Sequence, residues 1–164
     1  GEAQPWLAIE PAGRHWPALK SGRSAGPFYL VWIRREKSGV PPEQWPYQIA
    51  KITEAAPLEK RYPQIAPHSD AGSPAVRGMH VFIVNCSACH RINGGGDAAV
   101  GPDLNIPFSP SEYFNDRFLR KLIRDPASVR NWEKRAMPGF APSVISDAKL
   151  DDLLAYLRQM AKQR

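Results

Sequence analysis

Two cysteines and a histidine, grouped in one short stretch, are the residues best placed to do chemistry. They form Cys86-Ser87-Ala88-Cys89-His90, and this 164-residue chain contains two cysteines in all. Thiols at i and i+3 on a helical turn can each add to one vinyl group of the same porphyrin, and the next residue can then offer an imidazole to the iron. The spacing therefore predicts covalent haem attachment at Cys86 and Cys89, with His90 as an iron ligand.

Two other uses of a cysteine pair compete with this interpretation. A structural zinc site needs four ligands, and no second pair of cysteines or histidines follows at ligand spacing. A thioredoxin-type redox pair would belong to a βαβ unit, which the surrounding sequence pattern does not indicate. A disulfide framework is excluded because it needs several cysteine pairs.

A second axial ligand to the iron would come from one of three methionines. Met79 lies on the apolar face of a predicted helix, and Met160 lies in the final turn of another, so both fit a hydrophobic core. Met137 lies in Ala136-Met137-Pro138-Gly139-Phe140, a loop that could bring its thioether to the haem. Methionine and histidine together raise the potential of a haem iron.

The elements that must position these residues are mostly helical. Ser73-Pro74 is typical of an N-cap followed by proline at the first helical position, and an apolar face at helical spacing follows it: Met79, Phe82, Ile83, Cys86. Ser109-Pro110-Ser111-Glu112 predicts a capping box that opens a helix to about Arg124, where Asp125-Pro126 stops it. A last helix is expected after Ser146, with one apolar face: Leu150, Leu153, Leu154, Leu157, Ala161.

The first part of the chain has a different sequence pattern. Short apolar runs such as Trp6–Glu10 alternate with turns rich in proline and glycine, and Phe28–Ile33 predicts a buried strand that Gln48–Thr53 could pair with. Prolines and polar residues over 57–72 indicate a surface linker. We therefore predict a small β-containing N-terminal extension, residues 1–73, followed by a mainly α domain with long loops, residues 74–164.

Charge limits the kinds of partner. The net charge is +6, and seven basic residues lie close together: Arg117, Arg120, Lys121, Arg124, Arg130, Lys134, Arg135. They form either a solvated helix face or a docking patch for an acidic protein surface. Nucleic acid is not expected because no recognition motif accompanies the charge. No apolar run approaches the ~18 residues of a membrane span.

Residues ~74–164 resemble a class I cytochrome c, a family of small, helical electron carriers with one haem. Gly78 and Phe82 match the glycine and the aromatic that this family packs against its last helix, and Leu153–Leu157 with Tyr156 resembles that helix. The haem motif, Gly101-Pro102-Asp103-Leu104 and Met137-Pro138 follow in the family's order.

The resemblance implies one covalent haem c, with His90 and Met137 as axial ligands and the Pro102 carbonyl accepting the imidazole N–H. It also implies single-electron transfer between donor and acceptor proteins rather than catalysis, and a periplasmic location in bacteria. Trp132, Arg120 and Arg124 are candidates for contacts with the haem propionates, because they are close in sequence to the ligand loop. The alternative for these three is an exposed basic helix and a core tryptophan.

A second resemblance concerns the extension. Residues 26–53 are similar to a strand pair of sulfite-oxidase-like molybdopterin domains, without any cofactor-ligating residue. The chain could therefore also serve as the haem subunit of a periplasmic oxidoreductase, such as a molybdenum enzyme, or as a docking module for one. An absorption spectrum separates a carrier with both axial positions filled from a haem enzyme with an open one.

Overall fold

The computed structural model describes residues 4–19, 22–34, 40, 45–131 and 135–164. The chain forms two compact units, Gly1–Ala55 and Ala56–Arg164. This division falls earlier than the boundary expected between residues 73 and 74. The difference arises because the predicted linker is part of the second unit.

The first unit is built on an antiparallel pair of strands, β1 (Gln4–Ile9) and β2 (Phe28–Ile33), with Gln4 opposite Ile33. Strand β2 has the predicted bounds. The proposed partner, Gln48–Thr53, does not form a strand in the described structure. The contacts with β2 there are an isolated bridge between Tyr47 and Tyr29 and a 3.1 Å hydrogen bond from the Ile49 N–H to the Phe28 carbonyl. Gln48 has a φ of +53°, a left-handed conformation that interrupts regular strand geometry between Tyr47 and Ile49.

Pro5 is tolerated within β1 because of its position in the ladder. The Glu10 N–H donates to the Pro27 carbonyl, just beyond the end of the strand pair. Hydrogen-bonded residue pairs alternate with non-bonded pairs along an antiparallel ladder. Counting back from Glu10, the residues of β1 that are hydrogen-bonded to β2 are therefore Gln4, Trp6 and Ala8. The nitrogen of Pro5 therefore faces the open edge of the hairpin, where no N–H is required.

The second unit is helical. Its elements in the described residues are α1 (Leu58–Arg61), a 3-10 turn (Pro63–Ile65), α2 (Pro74–Asn85), α3 (Pro110–Tyr113), α4 (Asp116–Arg124), a second 3-10 turn (Pro126–Ser128) and α5 (Asp147–Ala161). No helix among the described residues is long and apolar enough to span a membrane.

The predicted helix starts are confirmed by their caps. Ser73 accepts from the Val76 N–H, Ser109 forms the capping box with Glu112, and Ser146 accepts from the Lys149 N–H. One expectation is wrong, since the helix from Pro110 does not run on to Arg124. Phe114 is extended (φ −103°, ψ 136°), and Asn115 caps a new helix by accepting from the Phe118 N–H.

The crossing of α2 and α5 forms the centre of the core. Phe82 and Tyr156 are fully buried, with ring centroids 5.7 Å apart. Gly78 lies at the closest approach: a Cβ there would sit 2.0 Å from the Asp152 carbonyl oxygen and 2.6 Å from the Tyr156 Cβ. The absence of a side chain at Gly78 thus allows the two helices to pack this closely, as the sequence predicted.

Replacing Gly78 with alanine is expected to destabilise the fold by about 1–3 kcal/mol, at the upper end because backbone rather than a flexible side chain must move. Denaturant unfolding of the holoprotein would measure this effect. His80→Ala, at an exposed position of the same helix, is the matched control. A Gly78→Ala variant as stable as the control would mean that the helices can separate without cost.

Residues 57–66, here called the strap, pack onto this core instead of forming the expected surface linker. Ile65 is fully buried, and its carbonyl accepts a 2.8 Å hydrogen bond from the Tyr156 hydroxyl. Burial raises the pKa of Tyr156 above its ordinary value, so the hydroxyl remains a donor. Gly95 lies against the strap: a Cβ there would be 2.5 Å from the Ile65 Cγ2 atom.

A polar link also joins the strap to the loop after the cysteine motif. Arg61 donates two hydrogen bonds to the Asp97 carboxylate, at 3.1 and 2.6 Å, and the Tyr62 hydroxyl donates a third at 2.6 Å. Arg61 first, and then Tyr62, hold the pKa of Asp97 below its ordinary value. The link is therefore complete at neutral pH and weakens as the pH falls through that lowered pKa.

Candidate haem site

The cysteine motif continues directly from the end of α2. Cys86 is the C-cap, with its N–H bonded to the Phe82 carbonyl at 2.8 Å. The N–H groups of Cys89 and His90 both donate to the Cys86 carbonyl, at 3.0 and 2.9 Å. These bonds wind residues 86–90 into one tight turn, which is the local geometry that two thioether bonds to one porphyrin require.

The environment of the thiols argues against the competing uses of the pair. Burial, and secondarily the neighbouring Cys89, raises the pKa of the Cys86 thiol to about 12. Catalytic redox cysteines have lowered thiol pKa values, so Cys86 does not fit a thioredoxin-type pair. No group of three or more His, Cys, Asp or Glu side chains in the described ranges could hold a metal ion, which argues against zinc.

His90 is fixed by the loop that follows the motif. Its Nδ1 lies 2.8 Å from the Pro102 carbonyl oxygen, and because a carbonyl can only accept, Nδ1 carries the proton and donates it. The Nε2 atom then keeps its lone pair for a metal ion. This contact joins His90 to Pro102, the pair of residues that the family resemblance implied.

Gly101 lies directly against the imidazole ring of His90. A Cβ at this position would lie 2.4 Å from Cε1 and 2.7 Å from Nδ1 of His90. The Gly101 N–H also donates to the Cys89 carbonyl at 2.7 Å. The backbone at residue 101 therefore forms a cradle for the ring that any side chain would fill.

The three methionines lie in two kinds of environment. Met79 is 6% exposed and Met160 is fully buried, and both belong to the core, as predicted. Met137 is half-buried and packs against the edge of that core, as does Cys86. Of the three, Met137 is therefore the one whose sulfur is not committed to the core interior.

The loop that carries Met137 is docked on the end of α4. The Phe140 N–H donates to the Ile123 carbonyl at 3.0 Å, and Arg124 Nη1 donates to the carbonyls of Phe140 and Ile145, at 2.8 and 2.6 Å. A Cβ on Gly139 would lie 2.5 Å from the Arg124 carbonyl oxygen. These contacts hold the loop in one place, as an axial ligand requires.

Comparison with protein families decides which kind of protein this is. The family model described as Cytochrome c matches residues 75–161. The chain belongs to the cytochrome c family. The match confirms the predicted resemblance, and members of this family bind haem c covalently and carry electrons. Searches of curated proteins and of solved structures found no match.

In the structure of this cytochrome, two of the three residues predicted to contact the propionates, Arg120 and Arg124, form ion pairs with acidic residues of the protein. Arg124 anchors the Met137 loop and pairs with Asp147 at 2.7 Å. Arg120 pairs with Asp151 across to α5. The third candidate, Trp132, lies outside the described residues.

Sequence reasoning placed Arg135 in the basic cluster and missed its contact with the ligand loop. Its Nη1 donates to the Met137 carbonyl at 2.6 Å, and its Nε is buried without a hydrogen-bond partner among the described residues. The signal that could have identified it is its position, two residues before the methionine of the ligand loop.

The donor set of this cytochrome fits a covalent haem. Two thiols lie on one turn, the imidazole of His90 has an oriented Nδ1–H, and Met137 supplies a thioether at the edge of the core. The Nε of Arg135, for which the described residues provide no hydrogen-bond acceptor, is suited to an anionic group such as a propionate.

Proposed function

We propose that this cytochrome is a carrier of single electrons with one haem c, bound at Cys86 and Cys89, and with His90 and Met137 as axial ligands. The observation that carries the proposal is the hydrogen bond from His90 Nδ1 to the Pro102 carbonyl, which prepares Nε2 as a ligand. When bound, the haem supplies the change between Fe(III) and Fe(II).

The surrounding residues would set the properties of that site. The Pro102 carbonyl makes the imidazole of His90 more basic, which strengthens it as a ligand. The soft thioether of Met137 would favour Fe(II) and raise the potential. Two ligands from the protein would leave the iron no free position for a small molecule, as is expected of an electron carrier rather than an enzyme.

Two further parts of the proposal rest on the motif. The chain contains one Cys-x-x-Cys-His sequence and two cysteines, which supports a single haem. Haem is attached to such motifs outside the bacterial cytoplasm, so we place the protein in the periplasm.

Absorption spectroscopy on the purified holoprotein tests the function. We expect a low-spin spectrum, one haem per chain and, in the oxidised state, the weak far-red band of a methionine sulfur bound to ferric haem. High-spin features, or carbon monoxide binding by the reduced wild-type protein, would contradict the carrier and support an enzyme with an open axial position.

The basic residues of this chain support the proposal that its redox partner presents an acidic surface. Within the basic cluster of residues 117–135, Arg120 and Arg124 are paired with Asp151 and Asp147. Arg117 and Lys121 are exposed on α4 and remain available for steering a partner of opposite charge.

Electron exchange with the partner is expected to slow as ionic strength rises, because salt screens exposed charges beyond ~8–10 Å. Stopped-flow rates measured from low to high salt would show this dependence. Lys121→Glu should slow the exchange further at low salt, whereas Lys60→Glu, a matched reversal of an exposed lysine on α1, should have a smaller effect. Rates independent of salt would indicate an apolar docking surface instead.

One observation favours a second role, as a docking module for an oxidoreductase. The molybdenum enzyme suggested by residues 26–53 loses its support, because β2 pairs with β1 and residues 48–53 form no strand in the described structure. Strand β1 exposes three large apolar side chains: Trp6 at 56%, Leu7 at 43% and Ile9 at 63%. Among the described residues, no strand pairs with the outer edge of β1, where the backbone groups of Leu7 and Ile9 lie. Exposed apolar residues on an open strand are typical of surfaces that bind another protein.

A further inference from the structure

Arg135 has a side chain that the structure only partly explains. Its Nη1 donates to the Met137 carbonyl at 2.6 Å. Its Nε, on the other side of the guanidinium fork, is buried and has no partner in the described part of the chain. A buried N–H of an ionised group that lacks an acceptor is costly, so an acceptor is expected in the working protein.

The chemical class of that acceptor follows from the properties of a guanidinium. A guanidinium is always charged and has only donors, and its planar fork matches a carboxylate. A haem brings its own carboxylates as propionates. The other candidate arginines near the ligand loop are already paired, Arg120 with Asp151 and Arg124 with Asp147.

We propose that Arg135 is a positioning residue that holds a haem propionate through Nε while Nη1 holds the Met137 carbonyl. This inference rests on the proposed ligation of the haem by Met137. One rigid side chain would then connect the edge of the porphyrin to the backbone of its distal ligand. Loosening either contact would loosen the other.

Because Arg135 would link the propionate to the Met137 carbonyl, its loss should also affect the bond between Met137 and the iron, which a purely structural contact would not do. Without Arg135 the propionate loses a charge-assisted hydrogen bond, and the Met137 carbonyl loses its donor. The bond from the thioether to the iron should therefore open more often, although Met137 itself is intact. An external ligand that binds only when Met137 leaves reports on this opening.

The experiment compares Arg135→Gln with wild type, using Arg14→Gln as the control because it removes an equal charge from an exposed position in the first unit. Resonance Raman spectra of the propionate bending modes report on the propionate contact. The rate of cyanide binding to the oxidised protein reports on the opening of the Met137 ligand. We expect shifted propionate modes and roughly tenfold faster cyanide binding for Arg135→Gln, the size of effect of one lost hydrogen bond to a charged group. The control should match wild type in both.

The outcomes separate this inference from the proposed function. A wild-type protein without the far-red methionine band would contradict the ligation itself. A normal wild-type band, with unshifted propionate modes in Arg135→Gln, would overturn the propionate contact, and an unchanged cyanide rate would overturn the coupling. If Arg135→Gln does not mature, Arg135→Lys is used, since it keeps the charge but lacks the planar fork that directs N–H groups on separate nitrogens at separate acceptors. Cyanide binding by Arg135→Lys at the wild-type rate would likewise contradict the coupling.

Discussion

Replacing Met137 with alanine is expected to leave the haem attached and to open the sixth position of the iron. Cys86, Cys89 and His90 are untouched, and the loop keeps its anchors from Arg124 and Ile123. The oxidised protein should lose the far-red methionine band, and the reduced protein should bind carbon monoxide. The potential should fall by on the order of 0.1–0.3 V, within the ~0.8 V range that axial ligands span.

Met79→Leu and Met160→Leu are the matched controls for this change. Both residues are buried in the core, so a leucine of similar volume should leave the spectrum and the potential unchanged. If Met137→Ala retained the wild-type spectrum and one of the controls lost the band, the distal ligand would be the methionine changed in that control.

Changing Cys86 and Cys89 together to alanine is expected to abolish covalent haem and most of the cooperative folding of the second unit. A domain of roughly 100 residues buries only about two-thirds of its chain surface, so the porphyrin is a large share of its apolar core. Circular dichroism during thermal unfolding would measure the loss, with the absence of haem confirmed by mass spectrometry.

Each single cysteine variant serves as a control for the double change. One remaining thioether can still tether the haem, so Cys86→Ala and Cys89→Ala should each fold better than the double variant. A haem-free double variant that unfolds cooperatively near the wild-type temperature would mean that the packing of α2 against α5 is sufficient by itself.

The parts that the sequence predicted correctly depend on short stretches of chain. The caps at Ser73, Ser109 and Ser146 are signals within three residues of each helix start, and all three are confirmed. The same holds for the stop at Asp125-Pro126 and for the bounds of β2. Close approach at Gly78 could be predicted because the family resemblance placed this glycine opposite the last helix.

The parts that it missed depend on contacts between distant residues. The partner of β2 is β1, whose paired residues lie 19 to 29 positions earlier in the chain, and no local pattern distinguishes it from Gln48–Thr53. The burial of Ile65 depends on Tyr156, at the other end of the domain. The break at Phe114 was hidden because the Asn115 cap lies inside an otherwise helical pattern.

In the candidate site the same distinction applies. The haem motif is local and could be read directly. The propionate contacts were inferred from proximity in sequence, which does not show that Arg120 and Arg124 are paired with acidic residues of α5. The position of Arg135, two residues before Met137, was a signal in the sequence, but the structure adds that its Nε has no hydrogen-bond partner among the described residues.

The strap has a consequence for the smallest piece of this protein that could be transplanted as a working module. The family match begins at residue 75, but a fragment cut there would lose Ile65 from its interior and leave the Tyr156 hydroxyl without its acceptor. Asp97 would lose the two side chains that hold it. The part that matches the family and the part that packs as one unit thus differ in length, and we expect a transplantable cytochrome from this protein to begin at Ala56.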